Sequence, residues 1–247
     1  MKCVNAVWDF RNLGVKTVKF EIEKNDVLEN CLTQIEEFRL EHEAKYVVIK
    51  SNMRYQGVSI FFQNAGFTLI NNEIVLKLTR EDVLKVIEKY KDFCDDVSYK
   101  LADEADMQLI YSELEKGIFK VSDYVALDPF FSKEQKKRRF IFYVKDVIAQ
   151  GAEVFLTFYK DKPLGFFIQK LIGNKKSDDK LGCVFNEAEA NHQGGLSTLA
   201  RCKHFIDSGL ENEISEVSLT NLNVLRLTLE FGRKITGAKN VLIKHYE

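Results

Sequence analysis

The first readable pattern is strict alternation. Val15 to Ile22 (V-K-T-V-K-F-E-I) places apolar residues on one side of a strand with one wet face. Residues 25–42 read as a helix and 45–50 (KYVVIK) as a short, mostly buried strand. Residues 54–65 carry Val58, Phe61, Phe62 and Ala65, the i, i+3, i+4, i+7 stripe of an amphipathic helix. Gly66 stands where that helix needs a left-handed cap. Residues 67–79 read as two strand segments around an Asn71-Asn72 turn. Thr79 then caps a helix over 81–94, with Val83, Val86, Ile87, Tyr90 and Phe93 on one face, and Asp95-Asp96 ends it.

The second half restarts with a strand at 97–102 and a helix over 103–115. A less regular stretch, 116–131, holds Asp128-Pro129, and a helix follows over 133–149. Residues 153–159 and 163–172 are two strands joined by Lys160-Asp161-Lys162, a hairpin signal. Residues 173–179 read as a polar turn and 180–190 as the next strand. A helix over 194–208, a strand at 215–219, a helix over 222–231 and a final strand region at 233–246 complete the order. The expected fold class is α/β, with a mixed sheet and an antiparallel meander, not the strict β-α alternation of a doubly wound fold.

Composition narrows the function classes. With 45% hydrophobic residues, 19 Phe and 9 Tyr, the chain can bury a core and is not disordered. Thirty-six basic and 37 acidic residues give a net charge of −1, so no electrostatic footprint for nucleic acid is expected. No apolar run is long enough for a membrane span, and the N-terminus does not read as a signal peptide. The five cysteines are scattered without a C-x-x-C pair, which reads as reduced thiols in a cytoplasmic protein. The four histidines are scattered too, and no dedicated metal site is expected.

Two motifs fall at element joints. One is His192-Gln193-Gly194-Gly195-Leu196-Ser197 at the start of the 194–208 helix; the other is TNLNVLRLTLEFGR, with Asn221, Val224, Leu227, Phe231 and Gly232. Together with the element order they resemble the acyl-CoA N-acyltransferases of the GNAT superfamily. The family's phosphate loop is [R/Q]-x-x-G-x-[G/A]; here His192 takes the Arg/Gln place and Ser197 the last small position. Thr228 stands where the family often has a tyrosine, and Arg233 where it has Phe. The segment SNMRYQGVSIFFQNAGFTLINNEIVLKL also resembles the C-terminal end, with Val58 to Val224, Gly66 to Gly232 and Val75 to Val241 sharing an offset of 166. The resemblance therefore implies a partial GNAT-like N-terminal domain (1–80), a helical linker (81–96) and a GNAT acetyltransferase domain (97–247). This arrangement is similar to that of sugar N-acetyltransferases of the TDP-fucosamine type.

The resemblance implies acetyl-CoA as cosubstrate, with no metal, and a primary amine as acceptor, first that of a nucleotide-linked amino sugar. An amino acid, peptide or small amine acceptor, and a non-catalytic CoA-binding or interaction module, stay open beside it, as does a homodimer. By this analogy residues 186–190 hold the pantetheine as an added strand, and the N–H of Ala188 polarises the thioester, with Ala190 beside it. Gln193, Gly194, Gly195, Leu196, Ser197 and Thr198 hold the pyrophosphate, and Asn221 and Leu227 meet the pantetheine arm. Glu187 and Glu189, alternating on that strand, are candidates for the base, against the plainer reading of a solvent-facing side. His192 is either a base, a phosphate contact or an ordinary loop residue. Thr228 occupies the acid's place but cannot donate as a phenol does. Acceptor contacts are expected from 117–139, with Asp128 and Arg138 as candidates; a turn aspartate and a solvated basic face are the plain alternatives.

Overall fold

Residues 1–55, 57–119 and 123–247 are described by the structure, a computed structural model. The elements run β1 (Lys2–Asn5), α1 (Val7–Leu13), β2 (Thr17–Ile22), α2 (Leu28–Glu41), β3 (Tyr46–Asn52), α3 (Val58–Asn64) and β4 (Thr68–Thr79). There follow α4 (Arg80–Lys89), α5 (Lys91–Cys94), β5 (Val97–Leu101), α6 (Glu104–Glu115), α7 (Tyr124–Leu127), α8 (Lys133–Ala149), β6 (Glu153–Tyr159) and β7 (Lys162–Leu171). The chain ends with β8 (Lys176–Val184), α9 (Asn186–Ala190), α10 (Gly194–Asp207), β9 (Asn212–Ser218), α11 (Leu222–Glu230) and β10 (Lys234–His245).

These strands form one mixed sheet in the order β1-β2-β3-β10-β4-β9-β8-β7-β6-β5. Alternation along each strand sends side chains to two different layers of helices. Val47, Ile49 and Leu242 pack with Cys31 and Ile35 of α2 and Val58 and Phe62 of α3. Tyr46, Val48, Val241 and Ile243 pack instead with Leu13 of α1 and Tyr124 and Val125 of α7. Further along the sheet, α10 and α4 cover the first face through Leu199, Phe205, Val83 and Val86. The opposite face is covered by α6 and α8 through Ile110, Leu114, Phe140 and Val144.

The two resembling segments prove to be related by geometry. β3 and β9 are each 7 residues long, β4 and β10 each 12, and their boundaries are displaced by the same 166 residues. Gly66 and Gly232 both take the left-handed conformation, at φ 86° and 84°, one turn past α3 and α11. β10 inserts between β3 and β4, and β4 pairs with β9, so each segment gives its last strand to the other. A pseudo-twofold axis runs between the paired residues Glu73 and Lys239. The β4–β10 ladder has two register shifts, which leave Ile70 and Thr236 as extra residues at equivalent places.

Four expectations need correction. Residues 67–79 form one strand, not two around a turn. Asn71 Oδ1 accepts from Ser218 Oγ (2.8 Å) and Asn72 Nδ2 donates to Asn240 Oδ1 (2.8 Å), so both side chains bond to neighbouring strands rather than forming a turn. The polar stretch from Lys176 belongs to β8, which ends at Val184. Residues 186–190, expected to continue that strand, form α9, because Glu and Ala favour helix even where they alternate. The N-terminal residues, left without elements, form β1 and α1, and α1 is capped by Gly14. The helix expected over 81–94 is split into α4 and α5; Thr79 caps α4 by accepting from the Asp82 N–H.

Candidate functional site

β8 and β9 run parallel but pair only from Lys176 to Asp178 and from Asn212 to Ile214. Beyond that point they part, which leaves residues 179–184 and 215–218 facing each other across a wedge. β7 pairs with β8 and β4 with β9 on their outer sides, so the wedge is walled by two strand edges. At its narrow end β8 carries a bulge. Ile168 pairs with Leu181 and Gln169 with Asp179, so Lys180 is the extra residue. A bulge of this kind reverses which face the following side chains meet. Asp179 thus reaches Arg201 of α10 on one face, while Leu181 and Cys183 pack with α6 and α8 on the other. The Tyr143 hydroxyl donates to the bulge carbonyl of Lys180 (3.2 Å), and burial pushes this phenol up to about 12.

A cavity of about 450 Å³ occupies the wedge and opens toward both faces of the sheet. Its narrow end is charged. Arg201 Nη2 donates to Asp179 (2.7 Å) and Glu213 (2.6 Å), Arg233 bonds Glu213, and Arg233 Nη1 donates to Ser215 Oγ (2.8 Å). Gln169 Nε2 also donates to Glu213 (2.8 Å). Burial raises the Glu213 carboxyl, but the two arginines outweigh it and hold the group down at about 2. These partners explain how the polar stretch Lys176-Ser177-Asp178-Asp179 can be an internal strand.

The wide end meets the start of α10. His192 turns the chain with a left-handed φ of 57°, and Gln193 is the N-cap residue without a side-chain cap bond. The first turn of α10 contains no acidic residue. Its leading N–H groups therefore form a site suited to an anion. A Cβ on Gly194 would lie 3.6 Å from Leu227 and 3.8 Å from Val184, both cavity-wall residues.

The wall away from α10 comes from the N-terminal segment and from α7 and α8: Lys19, Lys50, Glu73, Tyr124, Arg139 and Tyr143. Lys50 pairs with Glu73 (2.5 Å) and Glu216 (3.6 Å), and Lys239 with Glu216 (2.9 Å). Glu73 and Glu216 thus share Lys50 as a partner. Burial, with Glu216 close by, raises Glu73 above the usual carboxylate range despite Lys50. Glu216 feels the same burial, but Lys50 and Lys239 hold it low. Of the two, Glu73 takes up a proton first as pH falls.

Of the residues singled out from sequence, Ser197, Thr198, Asn221, Leu227 and Thr228 line this cavity. Ser197 Oγ is bonded to Thr157 (2.8 Å), Thr198 Oγ1 donates to the Gly194 carbonyl (3.0 Å) and Thr228 Oγ1 to that of Leu225 (3.0 Å). Asn221 caps α11, accepting from the Val224 N–H. Gly195 faces the Phe231 ring and Leu196 packs in the core beneath α10. Glu187, Ala188, Glu189 and Ala190 lie on α9 rather than on a cofactor strand, with both glutamates exposed; His192 is exposed as well. None of these five residues lines the cavity. Asp128 is buried and occupied: it accepts from His245 Nε2 (2.8 Å), Tyr46 (3.1 Å) and the Phe130 N–H (2.9 Å). Arg138 donates to the Asn12 carbonyl (2.9 Å), and it is its neighbour Arg139 that reaches the cavity. Within the expected acceptor segment 117–139, residues 120–122 lie outside the described residues. Glu73, Glu216, Lys50 and Arg201 were not anticipated. Among the described residues no cluster suited to a metal ion is present, and no helix is long and apolar enough to cross a membrane.

No protein-family profile and no curated protein matches the sequence. Solved structures do match the fold over nearly the whole chain. A conserved protein of unknown function from Staphylococcus epidermidis superposes with a TM-score of 0.66 at 13% identity, covering 97% of this chain and 89% of its own. A GCN5-related N-acetyltransferase from Kribbella flavida gives 0.59 at 11% identity, covering 94% and 82%. A tandem GNAT protein from the clavulanic acid biosynthesis pathway gives 0.57 at 9%, covering 94% and 76%. The chain has the mixed α/β fold of the GNAT N-acetyltransferases, with the wedge between β8 and β9 as its central opening.

Proposed function

We propose that the protein is an acyl-CoA N-acyltransferase that moves an acetyl group from acetyl-CoA to the primary amine of a small, charged acceptor. The observation that carries this reading is the wedge: one cavity passes through the sheet, with α10 at one mouth and the Lys50-Glu73-Glu216 wall at the other. Two substrates can therefore approach from opposite faces and meet between β8 and β9. Acetyl-CoA supplies the activated thioester. The chain's residues fit it: the strand edges at 179–184 and 215–218 offer amide groups to a pantetheine arm, and the uncapped start of α10 offers N–H groups to a pyrophosphate. Ser197, Thr198, Asn221 and Leu227 line the path between them.

Glu73, raised by burial, is the base in this reading, with Glu216 beside it. The pair binds the acceptor's ammonium and takes one proton from it, which leaves the neutral amine that attack requires. The Tyr143 phenol, which donates a proton as the Thr228 hydroxyl cannot, is the acid candidate beside the departing sulfur. The same wall supports a small charged acceptor over a nucleotide-linked sugar. Asp128 and Arg138, assigned to sugar and diphosphate contacts, are engaged in the fold, whereas charges of both signs line the cavity.

Titration with acetyl-CoA tests the cofactor side. Thr198→Glu adds a carboxylate at the start of α10, where it would repel a pyrophosphate without harming the helix. Affinity is expected to fall more than tenfold with thermal stability unchanged; equal affinity in the variant sinks the assignment. Thiol release assayed with amino acids and with amino sugars then separates the acceptor classes, and binding without any release identifies a non-catalytic module.

A further inference from the structure

The charged narrow end of the wedge has a consequence for the acyl group, one that rests on the acyl-CoA reading above. The free edge of β8 spans six residues, 179–184, or roughly 20 Å at strand rise. A pantetheine arm whose phosphates sit at α10 runs along that edge, so its thioester end lies near Lys180 and Ser215. The surfaces it meets there are Asp179, Arg201, Ser215 and Arg233, all in the cavity wall, with Glu213 behind them. Glu213 is 1% exposed and Arg233 5%. Asp179 Oδ1 and Arg201 Nε are buried there without a hydrogen-bond partner. In an apolar tunnel each added methylene would tighten binding by roughly fourfold. Here each would lie against ionised groups and strip them of polar neighbours.

We propose that Asp179, Arg201, Glu213 and Arg233 form an acyl-length stop that admits two- and three-carbon acyl groups and rejects longer alkyl chains. Calorimetric titration of the intact protein with CoA, acetyl-CoA, butanoyl-CoA, hexanoyl-CoA and succinyl-CoA reads this directly. Affinity should fall at least tenfold from acetyl to hexanoyl, with CoA itself retained. Affinity that stays level or rises with chain length overturns the proposal while leaving the acyl-CoA reading intact. Succinyl-CoA binding tighter than acetyl-CoA also overturns it, since the arginines would then be a seat for an anionic acyl group. No binding of CoA or any thioester overturns both. A variant with Asp179→Leu, Arg201→Met, Glu213→Leu and Arg233→Met replaces the set as a whole by apolar residues of similar size. Its hexanoyl-to-acetyl affinity ratio should rise at least tenfold; an unchanged ratio in the folded variant refutes the stop. If the variant does not fold, the wild-type series decides alone.

Discussion

The segments β3-α3-β4 and β9-α11-β10 match in length and register, yet among the described residues only the second has a cavity of this size between its first strand and that strand's parallel neighbour. In the N-terminal copy, β3 pairs with its parallel neighbour β2 along all of Thr17–Ile22, and apolar side chains such as Phe20 and Ile49 interlock above the join. In the C-terminal copy, β9 pairs with β8 over three residues and then separates. The difference lies in what the separating residues carry. Asp179 and Ser215 turn to Arg201 and Arg233, Lys180 bulges, and Glu213, still paired with Ser177, anchors both arginines where the strands part. A site arises where a strand pair is prevented from zipping.

The largest expected effect comes from cutting the copies apart. Residues 97–247 alone would lack β3 and β4, which flank β10, and β4 beside β9. Such a fragment should show no cooperative unfolding by circular dichroism; a sharp transition would mean that the strand exchange is dispensable. Breaking the charged end of the wedge comes next. Glu213→Ala leaves two buried arginines with Asp179 to share and should lower stability by about 3–5 kcal/mol in denaturant titration, and the symmetric position Val47→Ala should fall short of that, at about 1–3 kcal/mol.

Acid should find the same asymmetry. Glu213 is depressed to about 2, so its contribution is complete above the ordinary value of 4.5 and is lost as pH falls toward 2. His204 is held neutral by burial, at about 4, so protonation of the unfolded chain removes stability as pH falls from 6.5 to 4. Both groups contact the C-terminal half, and stability measured by denaturant should decline steadily below pH 6.5. A flat profile down to pH 4 contradicts the burial of His204. On activity, Glu73→Gln should reduce kcat by about 100-fold with little change in KM for acetyl-CoA. Equal loss in both would assign Glu73 to cofactor binding. The smallest effect belongs near the axis. Removing the amide of Asn72 or of Asn240 should cost about 1 kcal/mol each, and the double replacement little more, since both lose one bond.

The correspondence of the two segments was legible because its markers are local: the Val58 and Val224 stripes and the glycines that end α3 and α11. The exchange of β4 and β10 was not, since alternation tells which face a side chain meets but not which strand lies beside it. Ser197, Thr198, Asn221, Leu227 and Thr228 were found because they sit at or within the two helices that flank the wedge. Glu73, Glu216 and Lys50 escaped because a charged residue on a strand with one polar face reads as solvent-exposed. Glu187 and Glu189 misled for the converse reason: their alternation matched a strand period, while their helix propensity decided the outcome.

Lys50 and Glu216 are counterparts across the pseudo-axis, as are Glu73 and Lys239. In a homodimer every substitution is made twice, so a lysine at such a place faces a second lysine. Here each position is encoded separately, and opposite charges can stand at equivalent places. The fused chain thereby gives its symmetric sheet a polarity that no pair of identical subunits could possess.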